Sequence, residues 1–281
     1  MESLLIIDKV PGPTSFDVVR AVRRHIPREK VGHTGSLDPF ASGVLILLVG
    51  RATKLSHVLL NADKTYHAVV DLGTDTDTMD RTGTVVRKAA VPSLTETDVR
   101  AVLKGFEGTW HQTPPMYSAK KVQGVRLYEL ARQNIHVNRQ PIPVELTRVE
   151  LKEFRPPVIE FEVHCSKGTY VRSLAQEIGE RLGTAAHLSE LRRLSCGVFP
   201  LAESITVEAF AQNPKQELEK GYQHFLKLLR TELLRPGKRP DEKELASKAR
   251  LLPSHGLPSS GEGGRTLVAK KGIESSREVR H

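Results

Sequence analysis

The sequence has few cysteines, no long apolar run and no leader-like start. Only Cys165 and Cys196 occur in 281 residues, and neither belongs to a CxxC pair. That excludes a disulfide framework and a cysteine-built zinc site, and it suits a reducing compartment. The longest apolar run, Val44 to Val49, is far too short to cross a bilayer. The first nine residues hold a four-residue apolar run flanked by acids, without the basic start and long apolar stretch of a signal peptide. These absences predict a soluble cytoplasmic protein with no membrane association.

What the sequence does have is a packable composition and positive charge. Hydrophobic residues make up 38% and charged residues 27%, enough for a core over most of the length. The net charge is +9, which invites a nucleic-acid partner. The excess is unevenly placed: residues 215–281 carry +6 and residues 1–214 only +3. The total charge is therefore weak evidence until it is located.

Along the chain, Leu4 to Lys9 reads as a short buried strand and Pro11-Gly12-Pro13 as a turn. Thr14 opens a T-x-x-D capping pattern with Asp17, and Val18, Val19, Val22 and Ile26 fall on one helical face. Arg20, Arg23, Arg24 and Arg28 fall largely on the other, as a solvated surface or a phosphate-facing patch. Val44 to Val49 is a strand, 52–61 a helix, 65–72 and 84–87 strands, and 95–106 a helix with a second cap at Thr95 and Asp98. Residues 113–143 form a long excursion with five Lys and Arg against one Glu, with a helix expected over 125–133. Such an insertion is either a binding segment or a surface loop without a role. Residues 144–154 and 158–165 pair as strands, 170–182 is a helix, 187–194 a short helix or turn, and 197–201 leads into a last strand. Strands and helices mix without a regular βαβ beat, so the expected class is α+β with a central, largely antiparallel sheet. From Lys215 the chain changes character. An amphipathic helix is expected over 216–234 and disorder after about Arg235.

The most informative stretch is Gly32-His33-Thr34-Gly35-Ser36-Leu37-Asp38-Pro39-Phe40-Ala41-Ser42-Gly43. Its glycines permit unusual backbone angles, and Pro39 restricts Asp38 to an extended pose. One acid is thus held on a tight loop just before a buried strand. That suits a nucleophile or general base, and it equally suits an Asp that caps a turn. A phosphate-binding loop is disfavoured, because there is no GxxxxGK pattern and no lysine in the loop.

This segment resembles the catalytic motif of the TruB-type tRNA pseudouridine-55 synthases. Asp8-Lys9-Val10-Pro11-Gly12-Pro13-Thr14-Ser15 resembles the family's opening block, with Val10 where proline is usual. Lys64-Thr65-Tyr66, Pro115 to Lys120, Cys165 to Arg172 and His187 to Leu194 match further blocks in order. The resemblance implies a pseudouridine synthase fold, with a central, largely antiparallel mixed sheet flanked by helices and loops. Residues 1–214 would form the catalytic domain, 113–143 the insertion that grips the T-arm, and 215–281 a basic C-terminal extension. No PUA domain is recognisable in that extension.

The implied activity isomerises uridine-55 of the tRNA T-loop to pseudouridine, with Asp38, Tyr66 and Arg172 as catalytic residues. His33, Tyr170, Leu191 and Lys9 would be substrate-binding. Arg172 would pair with Asp38, Tyr66 would stack on the extracted uracil, and His33 would contact RNA near the flipped nucleotide. The reaction has no net redox change and hydrolyses nothing, so no cofactor and no metal are expected. Asp75, Asp77 and Asp80 resemble a calcium loop, but Met79 and the missing Gly and Glu argue against one. The expected partner is tRNA, and the expected state a monomer.

Overall fold

In the computed structural model, residues 2–233 are described, except 123, 134 and 136. The disorder expected after Arg235 lies outside the described residues. In chain order the elements are β1 (Glu2–Lys9), α1 (Ser15–His25), β2 (Val31–Thr34), β3 (Ser42–Gly50), α2 (Ser56–Leu60), β4 (Lys64–Leu72), β5 (Thr74–Thr76), β6 (Val85–Lys88), α3 (Glu96–Lys104) and β7 (Gly108–Gln112). There follow β8 (Lys121–Val122), β9 (Val125–Arg126), α4 (Leu127–Ala131), β10 (Ile142–Arg155), β11 (Val158–Cys165), α5 (Val171–Arg181), β12 (Ala186–Cys196), β13 (Phe199–Pro200), α6 (Val207–Gln212) and α7 (Pro214–Leu233).

Seven strands form the main path of one mixed sheet, in the order β1-β3-β12-β4-β11-β10-β7, with β2 and β13 attached to β3 and β12. All pairs along this path are antiparallel except β3 with β12, which are parallel. The α+β expectation therefore holds. Strands within the sheet read differently. β3 is buried from Gly43 to Val49 without alternation, the mark of a strand covered on both faces. β4 and β11 alternate buried with half-buried residues, so one face meets the core and the other carries His67, Glu160 and Glu162.

Both predicted capping boxes form. The Thr14 hydroxyl accepts from the Asp17 amide while the Asp17 carboxylate accepts from the Thr14 amide, and Thr95 with Asp98 repeats the pattern. α1 then buries Val18, Val19 and Val22 in the same apolar cluster as Leu5, Ile7, Leu45 and Leu47. Each apolar side chain buried here contributes about 1.5–3 kcal/mol.

Two expectations are corrected. Residues 187–194 lie in β12, a central strand, and not in a helix or turn. Leu188, Leu191 and Leu194 are spaced by three, which mimics a helix. The cause is two register shifts, at Leu188/Glu190 and Arg193/Ser195, that interrupt the two-residue alternation. The helix expected over 125–133 is only α4, because Val125 and Arg126 pair with Val122 and Lys121 as strands β9 and β8. Strand β7 was not anticipated at all.

The segment set apart as an extension begins with α7, which lies against β1. Gly221 permits the close approach: an added Cβ would lie 2.9 Å from the Leu4 carbonyl oxygen and 3.1 Å from Leu5. Leu218, Phe225, Leu228 and Leu229 are buried, and the Ser3 hydroxyl donates to the Leu218 carbonyl at 3.1 Å. No helix among the described residues is long and apolar enough to cross a membrane.

Candidate active site

Asp38 sits on the connection between β2 and β3, and four separate devices fix that connection. The Ser15 hydroxyl, at the start of α1, donates to the Leu37 carbonyl at 3.2 Å and accepts from the Leu37 amide at 2.9 Å. The Gly12 amide donates to the Pro39 carbonyl at 2.8 Å. The Lys9 ammonium donates to the carbonyls of Val10 (3.0 Å), Pro39 (3.1 Å) and Ala41 (2.7 Å). Arg193 donates to the carbonyls of Val44 (2.6 Å) and Gly35 (3.0 Å). Of the loop's glycines, Gly35 and Gly43 have positive φ, at 74° and 98°, while Gly32 does not. At Gly43 the constraint is also spatial. A Cβ there would collide with the Arg193 carbonyl and lie 2.7 Å from its nitrogen. The cause is the parallel β3–β12 pairing, which sets Gly43 opposite Arg193.

Above this support, Arg172 grips the carboxylate from the first turn of α5. Its Nε lies 2.9 Å from one Asp38 oxygen, and a terminal nitrogen donates to the other at 3.2 Å. The remaining donors reach the carbonyls of Thr78 (3.0 Å) and Tyr117 (2.9 Å). Arg172 is only 5% exposed, whereas Asp38 keeps 36% of its side-chain surface open. The arginine is thus committed to holding, and the carboxylate keeps an open face. A two-point guanidinium fork fixes direction as well as charge.

Burial raises the Asp38 carboxyl above the ordinary aspartate range, and nearby Asp80 adds to this, although Arg172 and Lys9 pull the other way. Lys9, only 1% exposed, is drawn down to about 8 by burial, against the opposing pull of Asp38. Expected beside the substrate or as a packing residue, it has its ammonium on three backbone carbonyls of the loop and its approach. Tyr66 is 8% exposed and its phenol is pushed up to about 12 by burial, so it stays protonated at neutral pH.

Tyr66 faces Arg193 across β4 and β12, and Arg193 faces Gly43 across β12 and β3. Three adjacent strands therefore place the tyrosine about 10 Å from the end of the loop, at about 4.8 Å per strand. Leu191 is two residues before Arg193 on β12 and pairs with Ala68. His33 lies on β2 opposite Leu47, half-buried, and burial with Arg193 lowers its pKa, which keeps it neutral at pH 7. Tyr170 precedes α5, and its amide donates to Gln112 at 2.8 Å while Gln112 donates to the Gly168 carbonyl at 2.7 Å.

Three residues of this site were missed in the sequence. Arg193 supports the loop and acts on Lys9, His33 and Tyr66. Asp80 is buried and lies 3.8 Å from Arg172. It accepts from the hydroxyls of Thr78 (2.8 Å) and Thr82 (2.5 Å) and from the Thr82 amide (2.9 Å). Gln112 aligns the start of α5. The Thr-x-Asp-x-Thr spacing around Asp80 was the available signal, and it was weighed only as a cation loop.

Residues 23–171 match the family described as "TruB family pseudouridylate synthase (N terminal domain)", and residues 172–236 match "tRNA pseudouridylate synthase B C-terminal domain". The chain belongs to the TruB family of pseudouridylate synthases. Among its TruB relatives, the tRNA pseudouridine synthase B of Opitutus terrae is 44% identical over 220 residues, 78% of this chain and 91% of the relative. That of Symbiobacterium thermophilum is 48% identical over 214 residues, 75% of this chain and 72% of the relative. Among solved structures, a chain of a Cbf5–Nop10–Gar1 complex aligns with TM-score 0.61 at 31% identity, covering 80% of this chain. The TruB-family chain here spans 58% of that chain's length. The fold and the family thus agree with the resemblance read from the sequence blocks.

Proposed function

We propose that this chain is a tRNA pseudouridine synthase that isomerises uridine-55 of the T-loop, with Asp38 as its catalytic carboxylate. The observation that supports this most is the Asp38–Arg172 fork, with a buried arginine behind a carboxylate that keeps an open face. An attacking carboxylate must be ionised. Arg172 favours that form where burial opposes it. Asp38 attacks either the ribose C1′ or the pyrimidine ring. The N1–C1′ bond breaks, the base turns and C5 bonds to C1′, after which the C5 proton is lost to solvent and N1 takes one up, so product and substrate have the same atoms. Tyr66, whose phenol burial pushes up to about 12, stacks on the uracil, and its hydroxyl serves in proton transfer.

The target uridine is stacked in the folded RNA, so it must be everted at a cost of a few kcal/mol. Phosphate contacts from α1 and from residues 113–143 offset that cost. A nucleoside hydrolase would need a second acid free to activate water. Asp80 does not suit that role, because its side chain is 6% exposed and committed to Thr78, Thr82 and Arg172. The reading fits a cytoplasmic enzyme working as a monomer.

The test is mass-spectrometric mapping of pseudouridine in a tRNA transcript incubated with the full chain. One new pseudouridine is expected in the T-loop, and none with Asp38→Asn, which should lose about a thousandfold or more in rate while still binding RNA. Wild-type conversion by that variant would end the assignment of Asp38. Conversion confined to another region of the tRNA would end the assignment of uridine-55.

A further inference from the structure

α1 buries Val18, Val19 and Val22 but leaves Phe16 57% exposed. No other Phe or Trp among the described residues is comparably open. The position of this ring gives it meaning. The preceding residue, Ser15, is the one whose hydroxyl holds Leu37 beside Asp38. The turn just before it is tied to Pro39 through Gly12 and carries the 53% exposed Val10. Phe16 therefore stands at the rim of the loop that bears the carboxylate.

The rest of the same helical stripe is cationic. Arg20, Arg23 and Arg24 follow Phe16 at four, seven and eight residues, spacings that share a helix face, and all are exposed. Arg20 lies over the Phe16 ring at 5.6 Å while paired to Asp17. Among the described residues, no carboxylate pairs with Arg23 or Arg24. An exposed aromatic with one face against a guanidinium and the other open, followed by unpaired arginines, is the chemistry of a platform for single-stranded nucleic acid. There a base stacks on the ring and the backbone runs along the charges. A protein partner would need an acidic face opposite these arginines, whereas an RNA loop supplies phosphates and an unstacked base together.

We infer that Phe16 stacks on an unpaired nucleobase next to the everted uridine, with Arg23 and Arg24 on the adjoining phosphates. This inference rests on the reading above that the substrate is a tRNA loop.

The experiment uses the full chain, a T-arm hairpin RNA and its binding constant at several salt concentrations. Phe16→Ala should weaken binding about tenfold, the scale of one lost base stack. Phe16→Leu should fall almost as far, because it keeps apolar area but has no π face, and Phe16→Trp should recover wild-type affinity. The slope of log affinity against log salt should be the same for Phe16→Ala as for wild type. It should shrink by about 0.7–0.9 for Arg23→Ala, which loses a phosphate contact. Hairpins with a single abasic site at each loop position then locate the base, since at one position wild type and Phe16→Ala should bind equally. Melting temperatures check that the variants are folded.

Wild-type affinity in folded Phe16→Ala, full affinity in Phe16→Leu, or a gap that persists on every abasic hairpin would overturn the inference. If wild type forms no pseudouridine in this hairpin or in whole tRNA, the functional reading falls as well. If it does and the Phe16 variants bind normally, only the stacking role falls.

Discussion

Residues 32–43 and residues 113–143 both end on Arg172, one through the Asp38 carboxylate and the other through the Tyr117 carbonyl. They are held by different amounts of structure. The first segment is clamped from below by Lys9 and Arg193 and from the side by Ser15 and Gly12. The second is fastened near its ends. The Ser173 hydroxyl donates to the Thr113 carbonyl, and Arg139 donates to the Pro114 carbonyl, each at 2.9 Å. Between them it has a small core of its own, made of Met116, Leu127 and Ala131. The difference matches the proposed division of labour. A reacting oxygen must be placed to within a fraction of an ångström, whereas a segment that meets phosphates works through charge, which falls off slowly with distance.

The sharpest way to break this comparison is at the shared arginine. Arg172→Lys keeps the charge but not the fork, and a misplaced carboxylate should cost about a hundredfold in single-turnover rate. Arg172 also lowers the Asp38 pKa. A weaker partner lets that pKa climb, so the acid limb of the pH–rate profile should move to higher pH. A limb that stays put would show that Asp38 is not the titrating group. Next comes the loop's exit. Gly43→Ala meets both a positive φ and the Arg193 backbone, and should cost about 2 kcal/mol or more of stability in a denaturant titration. Near-wild-type stability would mean that the β3–β12 contact gives way easily.

A smaller effect tests the support beneath. Lys9 titrates near 8 when folded and near 10.5 otherwise. Between those values the unfolded chain binds the extra proton, so the contribution of Lys9 to stability grows as pH rises through the window and is lost as pH falls through 8. Relative to Lys9→Met, wild type should gain no more than about 3 kcal/mol across it. A pH-independent difference would contradict the burial of a charged Lys9. The mildest change belongs to the other segment. Lys120→Ala and Lys121→Ala should weaken tRNA binding a few-fold, with a salt slope smaller by about 0.7–0.9 per lost phosphate contact. An unchanged slope would remove those lysines from the interface.

Much of this was legible in the chain before any coordinates. Thr14 with Asp17 and Thr95 with Asp98 announced their helices because a cap is a local, four-residue event. The uninterrupted apolar run of β3 announced a buried strand. β12 was misread because its bulges impose a spacing of three on its leucines. Arg193 was quoted as part of a block but given no role, since nothing local tells an arginine that will be 1% exposed from one that will be solvated.

The sequence by itself singled out Asp38 through a family resemblance, and it determined the tight turn that holds this residue and the capped helix beside it, because proline, glycine and capping residues act on their immediate neighbours. Only the tertiary structure decided that burial raises the Asp38 carboxyl, that the buried Lys9 ammonium meets three backbone carbonyls, and that Arg193 and Asp80 belong to the same cluster. Burial and electrostatic potential are sums over groups far apart in the chain. Asp38 and Arg172 are 134 residues apart in sequence, and no local pattern contains such a sum.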